Sequence, residues 1–369
     1  MSTVFVSAGE PSGDAHAAGL IAALRAARPD VSIEAFGGPK MAAAGARLTA
    51  RMEDYTVLGL VEVVRKVPAH LRLLKVIERR LAAGDIGLVV LVDYPGFHLR
   101  LAAAAHRLGV PVLYYIAPQL WAWHESRVRQ MAAHVTHLAA ILPFEEEFFR
   151  QRGVPTTFVG HPLLDRPPVP GDRAARVRAL GLDPGRPVLG LFPGSRGQET
   201  RRLWPVFRDA ARDVRQQRPE VQCIVAAAKG LEYAAPDGVT VVVDQAPLCF
   251  AAADAALSKS GTTTLEAALA GSPQVVAYRL NPLSYFMARR MVRVPWVGLV
   301  NLVAGRQVAP ELIQRDATAQ RLAAAVLPLL GDSAERARQL EGVAEVRRRL
   351  GGPGAARRAA EIAAGLLAA

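Results

Sequence analysis

The sequence from Thr3 to Ala27, TVFVSAGEPSGDAHAAGLIAALRAA, contains the pattern that decides the fold. A short apolar and β-branched run leads into a turn with two glycines, and an alanine- and leucine-rich stretch follows. This order of strand, turn and helix is the repeating unit of a parallel sheet covered by helices. The turn lacks the pattern G-x-G-x-x-G, which excludes a nicotinamide-type dinucleotide fingerprint. We expect Ser12 or Asp14 to cap the helix.

The same alternation continues on both sides of a break at Asp165–Asp172, DRPPVPGD. Its three prolines and one glycine continue neither a helix nor a central strand, which predicts a linker. The predicted strands are Thr3–Ser7, Val31–Phe36, Gly87–Val92, Pro111–Ile116, His137–Leu142, Thr156–Val159, Pro187–Phe192, Val221–Ala226, Val239–Val243, Ala253–Leu257 and Gln274–Tyr278. The predicted helices are Asp14–Ala27, His70–Ala83, Leu99–Leu108, Trp204–Arg218, Thr263–Ala270 and Thr318–Leu330.

These elements predict an α/β protein of two doubly wound, Rossmann-like domains with a cleft between them. The first domain is expected to comprise residues 1–168 together with the C-terminal helix, about residues 350–369, and the second residues 169–349. Ligands of such sheets bind beyond the carboxyl ends of the strands. The loops at these ends are therefore the candidates for chemistry.

Composition excludes several classes of protein. Hydrophobic residues are 51% and charged residues 21% of the 369 residues, so the chain can form a core and is neither disordered nor fibrous. Two cysteines are too few for a disulfide framework. The net charge of +12 fits a polyanion, an anionic membrane or an anionic substrate, but no nucleic-acid-binding module accompanies it. Neither a signal peptide nor an apolar run of membrane-spanning length is present, so we expect a cytoplasmic protein.

Asp93 follows the apolar run Gly87–Val92, GLVVLV, at the predicted end of a strand. Partial desolvation of a carboxylate at this position favours its action as a proton acceptor. The alternative is that Asp93 caps the helix predicted at Leu99–Leu108. The next loop, Pro118–Trp123, contains two tryptophans, which suit a sugar face or an acyl chain but also serve as core anchors.

Two loops of the second half, Leu191–Gly197 (LFPGSRG) and Ser258–Glu266 (SKSGTTTLE), have the residues of phosphate-binding turns. Their backbone N–H groups and the positive helix end would attract a pyrophosphate. The candidate phosphate contacts are Ser195, Arg196, Ser260, Gly261 and Thr262. Glu266, one turn into the helix, is placed to bind a ribose, by analogy with dinucleotide sites. The alternative is two ordinary helix N-termini. The absence of an Asp-x-Asp pair predicts no metal site.

Nine stretches are considered together, in order over nearly the whole chain: Ser7–Asp14 (SAGEPSGD), Val92–Phe97 (VDYPGF), Pro118–Trp123 (PQLWAW), Leu142–Phe144 (LPF), Gly160–Leu163 (GHPL), Pro193–Arg196 (PGSR), Ser260–Glu266 (SGTTTLE), Asn301–Arg306 (NLVAGR) and Pro310–Gln314 (PELIQ). They resemble the lipid-A-disaccharide synthase family, which is glycosyltransferase family 19. No single stretch is specific, but the set is.

The resemblance implies a GT-B fold and an inverting glycosyltransferase that uses no metal or other cofactor. Its donor would be UDP-2,3-diacylglucosamine, bound by the C-terminal half, and its acceptor 2,3-diacylglucosamine 1-phosphate, bound by the N-terminal half. The products would be a β-1,6-linked disaccharide 1-phosphate and UDP.

The resemblance also implies roles for individual residues. Asp93 would be the base that accepts the proton of the acceptor's 6-hydroxyl group. Arg196 and the turn at Ser260–Thr262 would stabilise the departing UDP, and Glu266 would bind the ribose. Three further residues match substrate-binding positions, namely Ser12, Asn301 and Gln314. The chain departs from the family's usual PDFN-like run at Gly96 and His98, which changes the surroundings of Asp93.

Acylated substrates imply a peripheral protein at the inner face of the cytoplasmic membrane, with no nucleic-acid partner. Two basic amphipathic stretches, Leu60–Leu81 and Phe286–Trp296, are candidates for this contact, or alternatively pack on the sheets. A homodimer is compatible with the sequence. Two other functions stay open: another GT-B enzyme (a UDP-sugar 2-epimerase or an undecaprenyl-acceptor transferase), or a non-enzymatic basic protein that binds polyanions or membranes.

Overall fold

The computed structural model describes residues 2–55, 60–123, 125–231, 233, 238–292 and 294–368. The chain forms two compact units, Met1–Arg166 with Gly351–Ala369, and Pro167–Leu350. The division falls at the proline-rich break. In each unit a parallel sheet is covered by helices, so the prediction of two Rossmann-like α/β domains is confirmed.

The helices and strands alternate along the chain. The strands are β1 (Thr3–Ala8), β2 (Ser32–Gly37), β3 (Arg47–Arg51), β4 (Ile86–Val92), β5 (Val112–Tyr115), β6 (His137–Ala140), β7 (Thr156–Phe158), β8 (Val188–Phe192), β9 (Gln222–Ala227), β10 (Val239–Val243), β11 (Ala255–Lys259), β12 (Gln274–Tyr278) and β13 (Glu311–Ile313). The α-helices are α1 (Pro11–Ala27), α2 (Pro39–Ala43), α3 (Leu60–Leu81), α4 (Pro95–Arg107), α5 (Leu120–Trp123), α6 (Val128–His134), α7 (Pro143–Arg150), α8 (Arg173–Ala179), α9 (Gly197–Gln217), α10 (Ala246–Ala252), α11 (Thr262–Leu269), α12 (Pro282–Met291), α13 (Leu299–Ala304), α14 (Ala319–Val326), α15 (Ala334–Arg349) and α16 (Ala355–Ala368).

The first unit has the strand order β3-β2-β1-β4-β5-β6-β7. The apolar faces of its central strands pack against α1 and α16, and Ala359, Ala360 and Ala363 of α16 are buried in this core. The carboxylate of Asp165 accepts hydrogen bonds from the backbone N–H groups of residues 354, 355 and 356, at the beginning of α16. The C-terminal helix is therefore an integral part of the first unit.

The second unit has the strand order β10-β9-β8-β11-β12-β13. Its sheet packs on one face against α9 and α14, through side chains such as Phe207 and Leu322, and on the other against α8, α10 and α11. Phe192 and Phe250 stack in the layer between the sheet and α8, α10 and α11, with ring centroids 3.7 Å apart. Apolar layers on both faces explain why the central strands are continuous apolar runs.

Every strand predicted from the sequence is present, but two edge strands were missed. Strand β3, RLTAR, is half exposed and carries two arginines, and β13 has three residues, so neither shows a buried run. Helices α1 and α4 begin earlier than predicted because each has a proline, Pro11 or Pro95, in its first turn. Helices α3 and α9 also begin earlier, at Leu60 and Gly197. The cap prediction for α1 is wrong: Glu10 is its N-cap, and the buried Asp14 carboxylate instead accepts from the N–H groups of residues 38, 40 and 41.

Candidate active site

The loops after β1, β4 and β5 leave the first sheet side by side. Ala8 lies opposite Val92 in the ladder, and Val92 lies opposite Tyr115. The carboxyl ends of parallel strands share one edge of the sheet, so the SAGEPSGD turn, Asp93 and the PQLWAW loop begin at neighbouring positions. Ser12 is exposed in the first turn of α1, beside this edge.

Asp93 has an uncommon backbone. Its φ is 52° and that of Tyr94 is 53°, so two consecutive non-glycine residues are left-handed. Such strained conformations persist where the surroundings enforce them, and they concentrate at functional sites. Asp93 is not a helix cap, because α4 begins at Pro95 with Tyr94 as its N-cap, and the capping alternative is wrong.

Two buried side chains enforce this backbone. The hydroxyl of Tyr114 and Nδ1 of His98 both donate to the carbonyl oxygen of Asp93, at 2.6 Å each. A carbonyl only accepts, so Nδ1 of His98 has the proton and Nε2 accepts from the hydroxyl of Ser7, at 2.8 Å. Burial lowers the pKa of His98 to about 4, so the ring is neutral at physiological pH. His98, at which the chain departs from the family's usual PDFN-like run, thus supplies a hydrogen-bond donor that orients Asp93.

Tyr94 lies against the first turn. A Cβ atom on Gly9 would lie 2.4 Å from Cδ1 of Tyr94, so the ring requires glycine there. The Tyr94 hydroxyl is 2.7 Å from Nε2 of His70 on α3. Burial, and after it the negative charge of Glu10, raises the pKa of Tyr94. The sequence analysis did not single out Glu10, whose charge acts on the residue directly after Asp93.

Replacing Tyr114 by Phe tests the orientation of Asp93. We expect a loss of about 1 kcal/mol in unfolding free energy from the missing hydrogen bond. We also expect about a tenfold lower kcat with little change in the acceptor KM, because a displaced catalytic group slows the reaction more than binding. Tyr115→Phe is the matched control, because the buried Tyr115 hydroxyl has no hydrogen-bond partner among the described residues. Equal kcat values in the two variants would contradict the role of Tyr114.

The two tryptophans of the PQLWAW loop lie in different environments. Nε1 of the buried Trp121 donates to Oε1 of Glu145 at 3.0 Å, and the backbone N–H of Leu142 donates to Oε2 at 3.1 Å. Trp121 is therefore a core anchor. Trp123 is 50% exposed, as a contact with a sugar or an acyl chain requires. Burial raises the pKa of Glu145 to about 7, although both hydrogen bonds oppose this shift.

The raised pKa of Glu145 predicts a pH dependence of stability. The unfolded carboxyl ionises near its ordinary value of 4.5 and the folded one near 7, so the unfolded state loses its proton first. The free energy of unfolding should therefore fall as pH rises from about 4.5 to about 7, by about 3 kcal/mol from this group. Glu145→Gln should lower stability at pH 5 and flatten the decline. Urea unfolding at pH 5 and pH 7.5 measures both, and parallel declines would contradict the assignment.

In the second unit the two glycine-containing loops follow adjacent strands. Phe192 of β8 lies opposite Ser258 of β11, so PGSR and SGTTT leave the sheet side by side. Ser195, Arg196 and Thr262 are exposed, whereas Ser260 is buried and its hydroxyl donates to the carbonyl of Val297 at 2.6 Å.

The second loop forms the beginning of α11. Gly261, with a φ of 119°, is its N-cap, and no side chain of the described residues caps this helix. Glu266 is half-buried one turn in. The structure thus brings the predicted phosphate contacts to one edge of the second sheet, as a helix end with a nearby arginine suited to bind an anion.

Asn301 and Gln314 make structural contacts. The buried Asn301 amide donates to the Ala309 carbonyl and to the Glu311 carboxylate, and it accepts from the N–H groups of residues 308 and 309. Gln314 accepts from the N–H of Leu280 at 2.6 Å and donates to its carbonyl at 3.2 Å. Both side chains fix loops beside the site, and direct contact with substrate stays a prediction for each.

Comparison with known proteins decides the family. A family model described as lipid-A-disaccharide synthetase matches residues 4–364. The chain belongs to the lipid-A-disaccharide synthase family. Among its relatives, the lipid-A-disaccharide synthase of Anaeromyxobacter dehalogenans (strain 2CP-C) is 43% identical, with 99% of this chain and 97% of that protein covered. That of Myxococcus xanthus (strain DK1622) is 42% identical, with the same coverage of both chains.

Solved structures support the fold of this lipid-A-disaccharide synthase family member. The spinosyn forosaminyltransferase matches with a TM-score of 0.63 and 17% identity, over 100% of both chains. The UDP-GlcNAc 2-epimerase from Neisseria meningitidis matches with a TM-score of 0.59 and 12% identity, also over 100% of both chains. At these identities the likeness shows the fold alone, which confirms the GT-B prediction. Membership of the synthase family confirms that the protein is a glycosyltransferase acting in lipid A biosynthesis.

Proposed function

We propose that the protein transfers 2,3-diacylglucosamine from its UDP conjugate to the 6-hydroxyl group of 2,3-diacylglucosamine 1-phosphate. The product is a β-1,6-linked disaccharide 1-phosphate, and UDP is released. The names of the relatives support this substrate pair. The observation that carries the catalytic part is the half-buried Asp93, whose left-handed backbone is fixed by Tyr114 and His98.

Asp93 acts as the general base. Its carboxylate accepts the proton of the 6-hydroxyl group as the oxygen forms a bond to the anomeric carbon of the donor. The bond from that carbon to the β-phosphate breaks, and its electron pair stays on UDP. Attack from the opposite face inverts the anomeric configuration.

The second unit stabilises the leaving group. UDP gains negative charge as the bond breaks, and Arg196 and the N–H groups at the beginning of α11 are the donors that interact with it. Ser195, Ser260, Gly261 and Thr262 complete the two turns, and Glu266 binds the ribose. Ser12, Asn301 and Gln314 are proposed to contact or position substrate. The proposal assigns charge stabilisation to these groups and includes no metal or other cofactor.

We further propose that the enzyme works at the inner face of the cytoplasmic membrane. On α3, Leu73, Ile77 and Leu81 are buried, while Leu71 and Val76 are exposed together with basic residues of the same helix. On α12, Phe286 is exposed under the guanidinium of Arg290, which lies 3.8 Å from the ring centroid. Exposed apolar groups beside cations suit an anionic bilayer.

Parts of these stretches lie outside the described residues, namely Arg293 and the side chains of residues 60–66, 287 and 288. None of the described helices is long and apolar enough to cross a membrane. Vesicles that contain an anionic lipid should co-sediment the protein, and neutral vesicles should not. A homodimer is proposed as well, and sedimentation velocity would show it.

An assay of purified protein with both acylated substrates tests the function. We expect UDP release that depends on the acceptor, with a disaccharide 1-phosphate identified by mass spectrometry. Omission of the acceptor should abolish the release. Isomerisation of UDP-N-acetylglucosamine at C2, or strong salt-dependent binding of DNA without transfer, would support the alternatives instead. Folded protein that gives no disaccharide with either acylated or shortened substrates would overturn the proposal.

A further inference from the structure

Lys259 lies between the two candidate phosphate turns and was missed by the sequence analysis. It is the last residue of β11, directly before Ser260, and its side chain is 17% exposed. Nζ lies 2.9 Å from Oε1 of Glu199 in the first turn of α9. Nη1 of Arg196 is 3.9 Å from the same oxygen. One carboxylate therefore faces a cation from each turn.

The charged groups lie close to the glycines of the two turns. A Cβ atom on Gly194, where φ is 113°, would lie 2.7 Å from Oε2 of Glu199 and 3.4 Å from Cδ of Lys259. A Cβ on Gly261, where φ is 119°, would lie 3.5 Å from Nζ of Lys259. The carboxylate thus approaches the bare backbone of the first turn, and the ammonium that of the second, where an anionic ligand is expected.

We propose that Lys259 binds the pyrophosphate of the nucleotide sugar, and that Glu199 holds the Lys259 ammonium until the diphosphate displaces the carboxylate. The inference rests on the proposed function. It adds two residues to the donor site, the cation Lys259 and the anion Glu199, which occupies the site when UDP is absent. UDP has more negative charge than a carboxylate, so the exchange favours the ligand. The charge on the β-phosphate grows as the glycosyl bond breaks, and Lys259 stabilises it without giving up a proton.

A purely structural ion pair makes different predictions from this exchange. If the pair only stabilised the fold, loss of either partner would leave the other charge unpaired and would lower stability without a specific effect on phosphates. In the exchange, the two partners act on UDP in opposite directions. Lys259 strengthens binding, and Glu199 weakens it by competing for the same ammonium.

Titration calorimetry of the full chain with UDP, without acceptor or lipid, separates the two. Lys259→Met should weaken UDP binding by about 10–100-fold, the loss expected for a charge-assisted hydrogen bond, and should reduce its salt dependence. Binding of uridine, which has no phosphate, should not change. Glu199→Gln should tighten UDP binding several-fold in the Lys259 background and clearly less in the Lys259→Met background, where only the more distant Arg196 still faces residue 199. Arg338→Met, which removes the exposed ion pair with Glu335 elsewhere in the unit, is the control.

The outcomes are distinct. Wild-type affinity for UDP in Lys259→Met, or weaker UDP binding in Glu199→Gln, would overturn the inference and leave the proposed function intact. Absence of UDP binding by the wild-type protein would overturn both. If Lys259→Met fails to fold, as judged by circular dichroism, Glu199→Gln carries the test alone, because a structural pair predicts no gain in affinity.

Discussion

Asp93→Asn is expected to lower the rate of sugar transfer by about 10²–10⁴-fold, while UDP affinity and stability stay close to wild type. The amide is similar in shape to the carboxylate but cannot accept the proton of the 6-hydroxyl group. Asparagine also tolerates the φ of 52° at this position better than alanine does, so the substitution tests chemistry rather than backbone strain. Steady-state rates at saturating substrates measure the effect.

Asp244 provides a matched control for this substitution. It also follows a strand directly, β10, and its φ is 58°, so Asp244→Asn makes the same change in the same backbone conformation. We expect this control to keep the wild-type rate. A rate within about threefold of wild type in Asp93→Asn, or equal losses in the two variants, would exclude Asp93 as the base.

Arg196→Ala is expected to weaken donor binding and to lower kcat by about 10²–10³-fold, because the leaving group loses a cation at which charge develops. Arg196→Lys should recover part of the rate, since it retains the charge but not the planar pair of donors. The donor KM and kcat, measured with saturating acceptor, report the two effects. Arg212→Ala, on the helix that Arg196 precedes, is the control, because Arg212 pairs only loosely with Asp209 at 3.6 Å.

The pattern across the two variants distinguishes their roles. Loss of the base should change kcat and leave the donor KM unchanged, whereas loss of Arg196 should change both. If the two variants changed the same parameters in the same proportion, the assignment of base and leaving-group cation to these residues would be wrong.

The sequence predicted the architecture because each central strand is buried on both faces. Runs such as GLVVLV before Asp93 have no other stable place than the middle of a covered sheet. Edge strands lack this signature, and β3 and β13 were missed for that reason. The starts of α1 and α4 were predicted too late, although the prolines that begin them fit the first turn of a helix.

The sequence could predict those site residues whose place in the fold follows from the strand that precedes them. Residues in the loops that follow central strands, such as Asp93 and Arg196, lie at the ligand edge of the sheet. The proposed roles of Glu199 and Lys259 depend on a contact between residues 60 positions apart, and no local sequence pattern predicts such a contact. Asn301 shows the converse: the sequence predicts a polar group, but only the structure shows that its amide is hydrogen-bonded to its own loop.

The Asp165 contact with the beginning of α16 has a consequence for biosynthesis on the ribosome. Residues 355–368 supply part of the core beneath the first sheet, so that core stays open until these residues have been translated. Pro167–Leu350 has all of its own strands earlier. The second unit can therefore complete its sheet before the first unit completes its core. A premature stop after residue 350 would leave the apolar surface beside α1 uncovered.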